Sequence, residues 1–314
     1  MNGLREEARQ ALHVYMSRSG LTLPELAQRI GYSPYSLRQF SSHAHYGDGD
    51  GDLTAEAVIG WLRGNPFPAP ELPGKLHQTR ATREMDAMLE HIRNGGWGVL
   101  YGPSGAQKSF LLEYRAAESA RDLEPGIAYI RTSPAGMTAN VLLRRIAATL
   151  GAAYAQYTDG VRQSVLYAIQ RRRSSVALVL DEADTLYRWV ETLETLREIG
   201  DLARARPGRA GVGILVAGNE KVMQIFENRR GVYFEKWRGR IEQQELRVLG
   251  PTAEEGTEIL AKELGELKEK TVRLILDGCM VADPVSRKNY VNMHRLFNAI
   301  RSVRARRAGN GKVH

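Results

Sequence analysis

The sequence predicts an α/β protein with a parallel sheet, preceded by a small all-α domain. Three observations support this prediction. From residue 98 onwards, short apolar runs alternate with longer amphipathic segments, as in sheets whose strands are buried on both faces. Residues 1–64 contain only helical patterns, and a proline-rich segment separates the two regions.

The composition indicates a folded protein with a basic end. The 314 residues include 44 Lys+Arg and 36 Asp+Glu, for a formal net charge of +8. Residues 287–314 contain eight basic side chains and no acid, which accounts for the whole excess and suggests a polyanionic partner. A hydrophobic content of 43% excludes whole-chain disorder, and a single cysteine excludes a disulfide framework. With no apolar run near the ~20 residues that span a bilayer, we expect a soluble, cytoplasmic protein.

Residues 1–64 predict a helix-turn-helix domain. Gly31 supplies a tight turn, Ser33 caps the next helix, and Pro34 takes its first position. This second helix would present Arg38 and Gln39 to a partner. The domain holds six arginines against seven acids, which does not indicate strong electrostatic binding to DNA. Whether the helix-turn-helix contacts DNA or protein therefore stays open.

The remaining helices and strands are predicted from the spacing of apolar residues and from the positions of prolines and helix-capping residues. A helix over Thr54–Leu62 closes the first domain, and a proline-rich linker occupies residues 65–80. We expect an α/β core over 81–250, a helical lid over 251–305 that opens with a Thr252–Glu255 capping box, and a basic tail over 306–314. The predicted strands are Gly98–Tyr101, Ile127–Thr132, Val176–Leu180 and Val212–Ala217. The predicted helices are Thr138–Leu150, Val161–Arg172, Val190–Ala205, Leu267–Leu276 and Tyr290–Val303.

A phosphate-binding loop follows the first strand. Residues 102–109 read Gly-Pro-Ser-Gly-Ala-Gln-Lys-Ser, close to the pattern G-x-x-x-x-G-K-[ST]. Backbone amides would cradle phosphates, Lys108 would neutralise the β- and γ-phosphates, and Ser109 would bind Mg²⁺. Gln107 stands in place of the last glycine, so it carries strain if that position needs a positive φ, and it leaves the rate of hydrolysis open. The predicted nucleotide-binding residues here are Gly102, Pro103, Ser104, Gly105, Ala106, Gln107, Lys108 and Ser109.

Two carboxylates follow the third strand. Val176–Leu180 is continuously apolar and leads directly into Asp181 and Glu182. Such a strand end supplies an Asp for Mg²⁺ and a Glu that polarises the attacking water. Together with the phosphate-binding loop, it predicts a Mg²⁺-dependent nucleotide hydrolase.

These motifs and three later segments resemble the AAA+ ATPases. Residues 216–219, Val-Ala-Gly-Asn, resemble sensor 1, which implies that Asn219 positions the water. Residues 233–241 resemble the box that carries an arginine finger, with Arg240 the best match and Arg238 the second. Residues 292–298 resemble sensor 2, which implies that Arg295 contacts the γ-phosphate. The resemblance also implies ATP with Mg²⁺, and a ring or helical homo-oligomer with ATP at each subunit interface.

The layout as a whole resembles the AAA+ helper ATPases of phage Mu-type transposition. The shared features are the helix-turn-helix, the proline-rich linker, the compact core and the basic end. This resemblance implies polymerisation on duplex DNA, target selection and recruitment of a transposase. Two alternatives stay open: a sequence-specific regulator whose oligomeric state ATP controls, and a replication-type loader. Candidate DNA contacts are the C-terminal arginines and Arg38, Gln39, Arg131, Arg144, Arg145, Arg171, Arg172 and Arg173.

Overall fold

The computed structural model describes most of the chain. The described residues are 2–42, 50–65, 71–122, 125–133, 137–152, 157–188, 190–206, 209–227, 232–241 and 244–310. Among them, no helix combines the length and the apolar composition needed to cross a bilayer.

Within the described residues, the N-terminal domain contains the helices α1 (Asn2–Ser19), α2 (Leu23–Ile30), α3 (Pro34–Ser41) and α4 (Asp50–Gly64). The turn between α2 and α3 has the predicted chemistry. Gly31 ends α2 with a φ of 88°, and the Ser33 hydroxyl accepts a hydrogen bond from the Ser36 amide at 3.0 Å. Helix α4 is longer than predicted, because its first turn is held by the Arg5 Nε, which donates to Asp52 Oδ1 at 2.6 Å.

In the described part of the core, five parallel strands form a central sheet, which confirms the predicted fold class. Its strands are β1 (Trp97–Tyr101), β2 (Ile127–Arg131), β3 (Val176–Asp181), β4 (Val212–Gly218) and β5 (Glu245–Arg247). They lie in the order β2-β3-β4-β1-β5. Strand β5 was missed because its three residues, Glu-Leu-Arg, carry no apolar run. The helices of this region are α5 (Arg80–Arg93), α6 (Lys108–Ser119), α7 (Ala139–Leu150), α8 (Thr158–Gln170), α9 (Val190–Leu202), α10 (Lys221–Glu227) and α11 (Val232–Ile241), with a 3₁₀ turn (Ala183–Arg188) after β3.

Helices cover both faces of this sheet. Along β3, Leu178 and Leu180 join the cluster formed with α7, α8 and α9, whereas Ala177 and Val179 join the cluster formed with α5 and α6. The alternation follows from the two-residue period of a strand. Burial on both faces explains why the strands read as continuous apolar runs rather than as alternating ones.

The lid follows the sheet. It comprises α12 (Ala253–Leu264), α13 (Glu269–Cys279), a hairpin of β6 (Met280–Ala282) and β7 (Asn289–Val291), and α14 (Met293–Asn310). The capping box is confirmed, since Glu255 donates its amide to the Thr252 hydroxyl and its carboxylate accepts from the Thr252 amide. The predicted helix over Tyr290–Val303 was wrong at its start, because Tyr290 pairs with Val281 across the hairpin.

The predicted domain limits remain predictions. Linker residues 66–70 lie outside the described residues, whereas 71–79 contain no regular element and α5 begins at Arg80. The expected separate tail is continuous with α14 as far as Asn310. Residues 311–314 lie outside the described part of the chain.

Candidate nucleotide site

The strand order brings the predicted motifs together. Strands β1, β4 and β3 are neighbours, so the segments that follow them meet at one edge of the sheet. A cleft of about 380 Å³ opens there, with α14 of the lid on its other side. Its lining after β1 consists of Ser104, Gly105, Gln107, Lys108, Ser109 and Phe110. At the end of β3 it is lined by Asp181, Glu182 and Asp184, at the end of β4 by Gly218 and Asn219, and on the lid side by Met293, His294 and Phe297.

The loop after β1 folds as a phosphate-binding loop around Lys108. The Lys108 ammonium donates to the carbonyl oxygens of Gly102 at 2.8 Å and Pro103 at 3.0 Å. Burial lowers the pKa of Lys108, and the nearby Asp181 carboxylate opposes that shift. Gln107 has a φ of 69°, the left-handed conformation that glycine adopts without strain. Its buried carboxamide makes no hydrogen bond within the described residues, and its backbone conformation carries strain.

Asp181 is the buried carboxylate of the site. It is 1% exposed, and its Oδ1 accepts a hydrogen bond from the Glu182 amide at 2.8 Å. The Tyr129 hydroxyl donates to Oδ2 at 2.8 Å. Burial raises the pKa of Tyr129, and the Asp181 charge raises it further, which keeps this hydroxyl protonated as a donor. Tyr129 was missed from the sequence, although it is the one aromatic residue of β2.

Glu182 is held by an arginine. Arg131 Nη2 donates to Glu182 Oε1 at 2.8 Å, and this partner raises the pKa of Arg131. Glu182 has a φ of 58°, a conformation that is rare outside glycine, and its carbonyl oxygen accepts from the Thr132 hydroxyl at 2.7 Å. Arg145 Nη1 donates to the Arg131 carbonyl oxygen at 2.7 Å. The predicted DNA contacts Arg131 and Arg145 both lie in the surroundings of Glu182 and are exposed, so a DNA contact by either stays a prediction.

The lid contacts the phosphate-binding loop directly. The Met293 amide donates to the Gly105 carbonyl oxygen at 3.1 Å, and Asn292 Nδ2 donates to the Ser104 carbonyl oxygen at 3.4 Å. Gly105 has a φ of 85°, and a Cβ there would lie 2.4 Å from Asn292 Nδ2. Arg295 is exposed and does not line the cleft, whereas the adjacent His294 does. A γ-phosphate contact by Arg295 therefore stays a prediction.

The donor set at the edge of the cleft fits Mg²⁺. Ser109 and Asp181 present hydroxyl and carboxylate oxygens, the ligand type that this ion prefers. Asp181 retains acceptor capacity, because each carboxylate oxygen has two lone pairs and accepts one bond. Within the described residues, no group of three or more His, Cys, Asp or Glu side chains could hold a metal. A Mg²⁺ site usually relies on one or two carboxylates, water and substrate phosphates.

The two candidate arginine fingers lie on α11. Arg240 donates from Nε and Nη2 to Asp201 Oδ1, at 2.9 and 2.6 Å, and its guanidinium lies 5.2 Å from the centre of the Trp97 ring. Trp97 begins β1, at the end opposite the phosphate-binding loop. Arg240 is therefore remote from the cleft of its own chain. A finger role for Arg240, or for the exposed Arg238, stays a prediction.

The predicted DNA contacts at the end of α8 form contacts within the chain. Arg172 is 5% exposed, and its Nη2 donates to the Pro125 carbonyl oxygen at 2.6 Å. Arg171 pairs with Glu6 and stacks on the ring of Tyr167 at 3.7 Å. Arg173 pairs with Glu7 of the same N-terminal helix. The run attaches α1 to the core. Arg172 is too buried to reach a DNA backbone, whereas a DNA contact by the half-buried Arg171 or the exposed Arg173 stays a prediction.

Some of the other candidate DNA contacts are exposed, and others form hydrogen bonds within the chain. Arg38 is exposed on α3, and Gln39 Nε2 donates to the Tyr35 hydroxyl at 3.0 Å. Arg144 is half-buried, and its Nε donates to Asn140 Oδ1 at 3.1 Å. Among the C-terminal arginines, Arg304 donates to the Glu263 carbonyl oxygen at 2.9 Å and Arg307 to that of Leu264 at 2.7 Å. Part of the basic end therefore holds α14 against α12.

Comparison with known proteins matches this site to one family. Residues 91–226 match the family model described as an AAA domain. The match spans the phosphate-binding loop, Asp181, Glu182 and Asn219, and it ends before the lid. No curated protein shows significant sequence similarity to the chain.

Solved structures that resemble this chain in fold include two archaeal proteins. The ORC1 protein of Aeropyrum pernix, in complex with DNA, is 20% identical, with 76% of this chain and 63% of that chain covered and a TM-score of 0.50. The Cdc6p protein of Pyrobaculum aerophilum is 17% identical, with 78% and 66% covered and a TM-score of 0.50. At these identities the likeness shows the fold alone. The chain spans just under two thirds of the length of each protein.

Proposed function

We propose that this protein is a Mg²⁺-dependent ATPase whose nucleotide state controls its binding to duplex DNA. The observation that carries the proposal is the cleft, in which the phosphate-binding loop, Asp181, Glu182 and Asn219 meet beneath α14. A cleft with a buried lysine, convergent carboxylates and a polar amide at parallel-strand ends is suited to phosphoryl transfer to water.

Each residue has a role that follows from its position. Lys108 and the amides of the loop bind the phosphates, while Ser109 and Asp181 hold Mg²⁺, which supplies charge neutralisation when bound. Tyr129 fixes the orientation of the Asp181 carboxylate. Glu182 orients the attacking water, and the hydrogen bond from Arg131 to its Oε1 restrains the rotation of that carboxylate.

Binding to DNA is supported by the N-terminal domain and by one of the similar folds. The ORC1 protein was solved in complex with DNA. Helix α3 of the helix-turn-helix carries the exposed Arg38, with Tyr35 71% exposed beside it. The near-neutral balance of residues 1–64 favours contacts through a few residues of α3 rather than through a broad basic surface.

At a finer level, we propose a role in transposition. The order of helix-turn-helix, proline-rich linker, AAA domain and basic end resembles phage Mu transposition protein B. The protein would then polymerise on duplex DNA in the bacterial cytoplasm, select the target and recruit a transposase. In that assembly Arg240 or Arg238 would reach a neighbouring cleft, and Arg295 would contact the γ-phosphate. A replication-type loader is the second candidate, favoured by the fold likeness to ORC1 and Cdc6p.

DNA binding by the purified protein tests the proposal. Fluorescence anisotropy with unrelated duplexes should show tighter binding with a non-hydrolysable ATP analogue than with ADP. Arg38→Ala should weaken this binding several-fold, whereas Arg63→Ala, which removes an exposed arginine at the end of α4, should not. Equal binding with the analogue, with ADP and without nucleotide would overturn the proposed control by ATP.

Electron microscopy of the same mixtures separates the finer alternatives. Continuous filaments on DNA of any sequence support the transposition role. Closed rings or isolated particles favour the loader, and binding confined to one sequence favours a sequence-specific regulator.

A further inference from the structure

We propose that Arg247 is a positioning residue that couples the lid to the end of β4. The proposal rests on the proposed function and extends it to a residue outside the recognised motifs. Arg247 is the last residue of β5, the strand that pairs with the other edge of β1. It does not line the cleft itself.

The Arg247 guanidinium joins two carboxylates from different parts of the chain. Its Nε and Nη2 donate to Glu220 Oε1 at 3.0 and 2.8 Å. Its Nη1 and Nη2 donate to the two oxygens of Asp283 at 3.0 and 2.6 Å, a bidentate arrangement. Both carboxylates favour the charged guanidinium, and the pKa of Arg247 is raised, with the hydrogen bond to Asp283 as the main cause.

Glu220 belongs to the catalytic side of this link. It directly follows Asn219, whose Oδ1 accepts a hydrogen bond from the Lys221 amide at 2.8 Å, so the three residues form one turn. The Glu220 charge also acts on Lys108, raising its pKa against the effect of burial. A guanidinium that fixes Glu220 therefore fixes the turn that presents Asn219 to the cleft.

Asp283 belongs to the lid side of the link. Its side chain is fully buried, and the Arg247 guanidinium, followed by Ser286, holds the pKa of this carboxyl well below its usual range. The Ser286 amide donates to Asp283 Oδ2 at 2.6 Å, so Asp283 also shapes the turn of the β6–β7 hairpin. Removing Arg247 would leave a buried carboxylate without its main partner.

The hairpin continues directly into the contact with the phosphate-binding loop. Strand β7 is followed by Asn292 and Met293, which donate to the Ser104 and Gly105 carbonyl oxygens. A chain of contacts thus runs from the loop through the hairpin to Arg247, and from Arg247 to the turn that holds Asn219. Any movement of the lid that phosphate binding causes is transmitted through Arg247 to the group that positions the water.

The two halves of the link have separable kinetic consequences. Glu220→Ala releases only the Asn219 turn, so we expect kcat to fall about tenfold with KM within about twofold of the wild type, because small misplacements near the reacting atoms cost rate. Glu220→Gln retains an acceptor for Arg247 and should recover most of kcat. Arg247→Met releases both sides, so we expect KM to rise about fivefold in addition to the loss of kcat.

The experiment measures steady-state ATP hydrolysis, the affinity for a fluorescent ADP analogue and the thermal unfolding temperature of each variant. The matched control is Glu245→Ala, which removes an exposed carboxylate from the same strand and should leave all three unchanged. The proposal is overturned if Glu220→Ala behaves like this control, or if Arg247→Met lowers only the unfolding temperature. It is also overturned if Glu220→Gln is as slow as Glu220→Ala. If instead the proposed ATPase function is wrong, the wild type will bind nucleotide no better than a variant without Lys108.

Discussion

The lid and the N-terminal domain are both helical and both pack on the sheet-containing core, but they are attached in different ways. The lid makes backbone hydrogen bonds to the phosphate-binding loop, through Met293 and Gly105, and buries Asp283 fully. The N-terminal domain pairs Glu6 and Glu7 with arginines at the end of α8, beside a groove of about 700 Å³. The lid therefore forms part of the candidate nucleotide site. The N-terminal domain is attached by ion pairs, which contribute little individually and weaken with salt, and by packing of Val14 against Gly151.

The largest expected effect comes from separating the lid from the phosphate-binding loop. Gly105→Ala places a Cβ against Asn292 at a φ of 85°, and we expect affinity for a fluorescent ATP analogue to fall about a hundredfold. Gly60→Ala in α4 is the matched control, because a Cβ there meets nothing within 4 Å. Equal affinities in the two variants would contradict the close coupling of lid and loop.

A smaller effect on ATP hydrolysis should distinguish an arginine paired with Glu182 from an arginine on the exposed surface, two kinds that look the same in the sequence. Arg131→Met frees the Glu182 carboxylate, and we expect basal ATP hydrolysis to rise about three- to tenfold. Arg83→Met, which removes an exposed arginine of α5, should leave the rate unchanged. An unaltered or lower rate in Arg131→Met would show that the ion pair does not restrain Glu182.

Reversing the acidic charges of α1 that face the end of α8 should weaken the attachment of the N-terminal domain and leave ATP hydrolysis unchanged. The double variant Glu6→Lys, Glu7→Lys opposes Arg171 and Arg173, so it should loosen the domain by about 1–2 kcal/mol and expand the molecule in small-angle scattering. Glu56→Lys on α4 makes the same kind of charge change on an exposed surface and serves as the control. A compact double variant would show that apolar packing, such as that of Val14 against Gly151, holds the domain.

The smallest effect concerns pH. His77 is 3% exposed against Glu263 of the lid, and burial lowers its pKa, with the Glu263 charge opposing the shift. The unfolded chain binds the proton more readily, so this contribution to stability is present above a pH of about 6.5 and is lost as the pH falls below it. The unfolding temperature should therefore drop between pH 7.5 and 5.5, and His77→Gln should reduce that drop. If the exposed His91→Gln variant reduced it equally, the effect would not belong to His77.

Features encoded by short stretches of sequence were predictable, and long-range pairings were not. The phosphate-binding loop and the Asp181–Glu182 pair follow strands with continuous apolar runs, so their positions at one sheet edge could be inferred from topology. Strands β5, β6 and β7 have three residues each, too few for a periodic signal.

The arginines show most clearly what could not be predicted from the sequence alone. An exposed DNA contact and an ion-paired arginine look the same in a sequence. Arg131 meets Glu182 across 51 positions and Arg173 meets Glu7 across 166, and only the fold reveals these pairs. By contrast, the strain at Gln107 could be anticipated, because the motif itself specifies glycine at that position.

ATP hydrolysis and nucleotide binding by the wild type, Lys108→Ala and Glu182→Gln test the central claim most directly. We expect the wild type to hydrolyse ATP and Lys108→Ala to lose binding. Glu182→Gln should bind a fluorescent ATP analogue within about twofold of the wild type while turnover falls about a hundredfold or more. Hydrolysis that survives in Lys108→Ala, or binding that is lost in Glu182→Gln, would contradict the assignment of this cleft as an ATPase site.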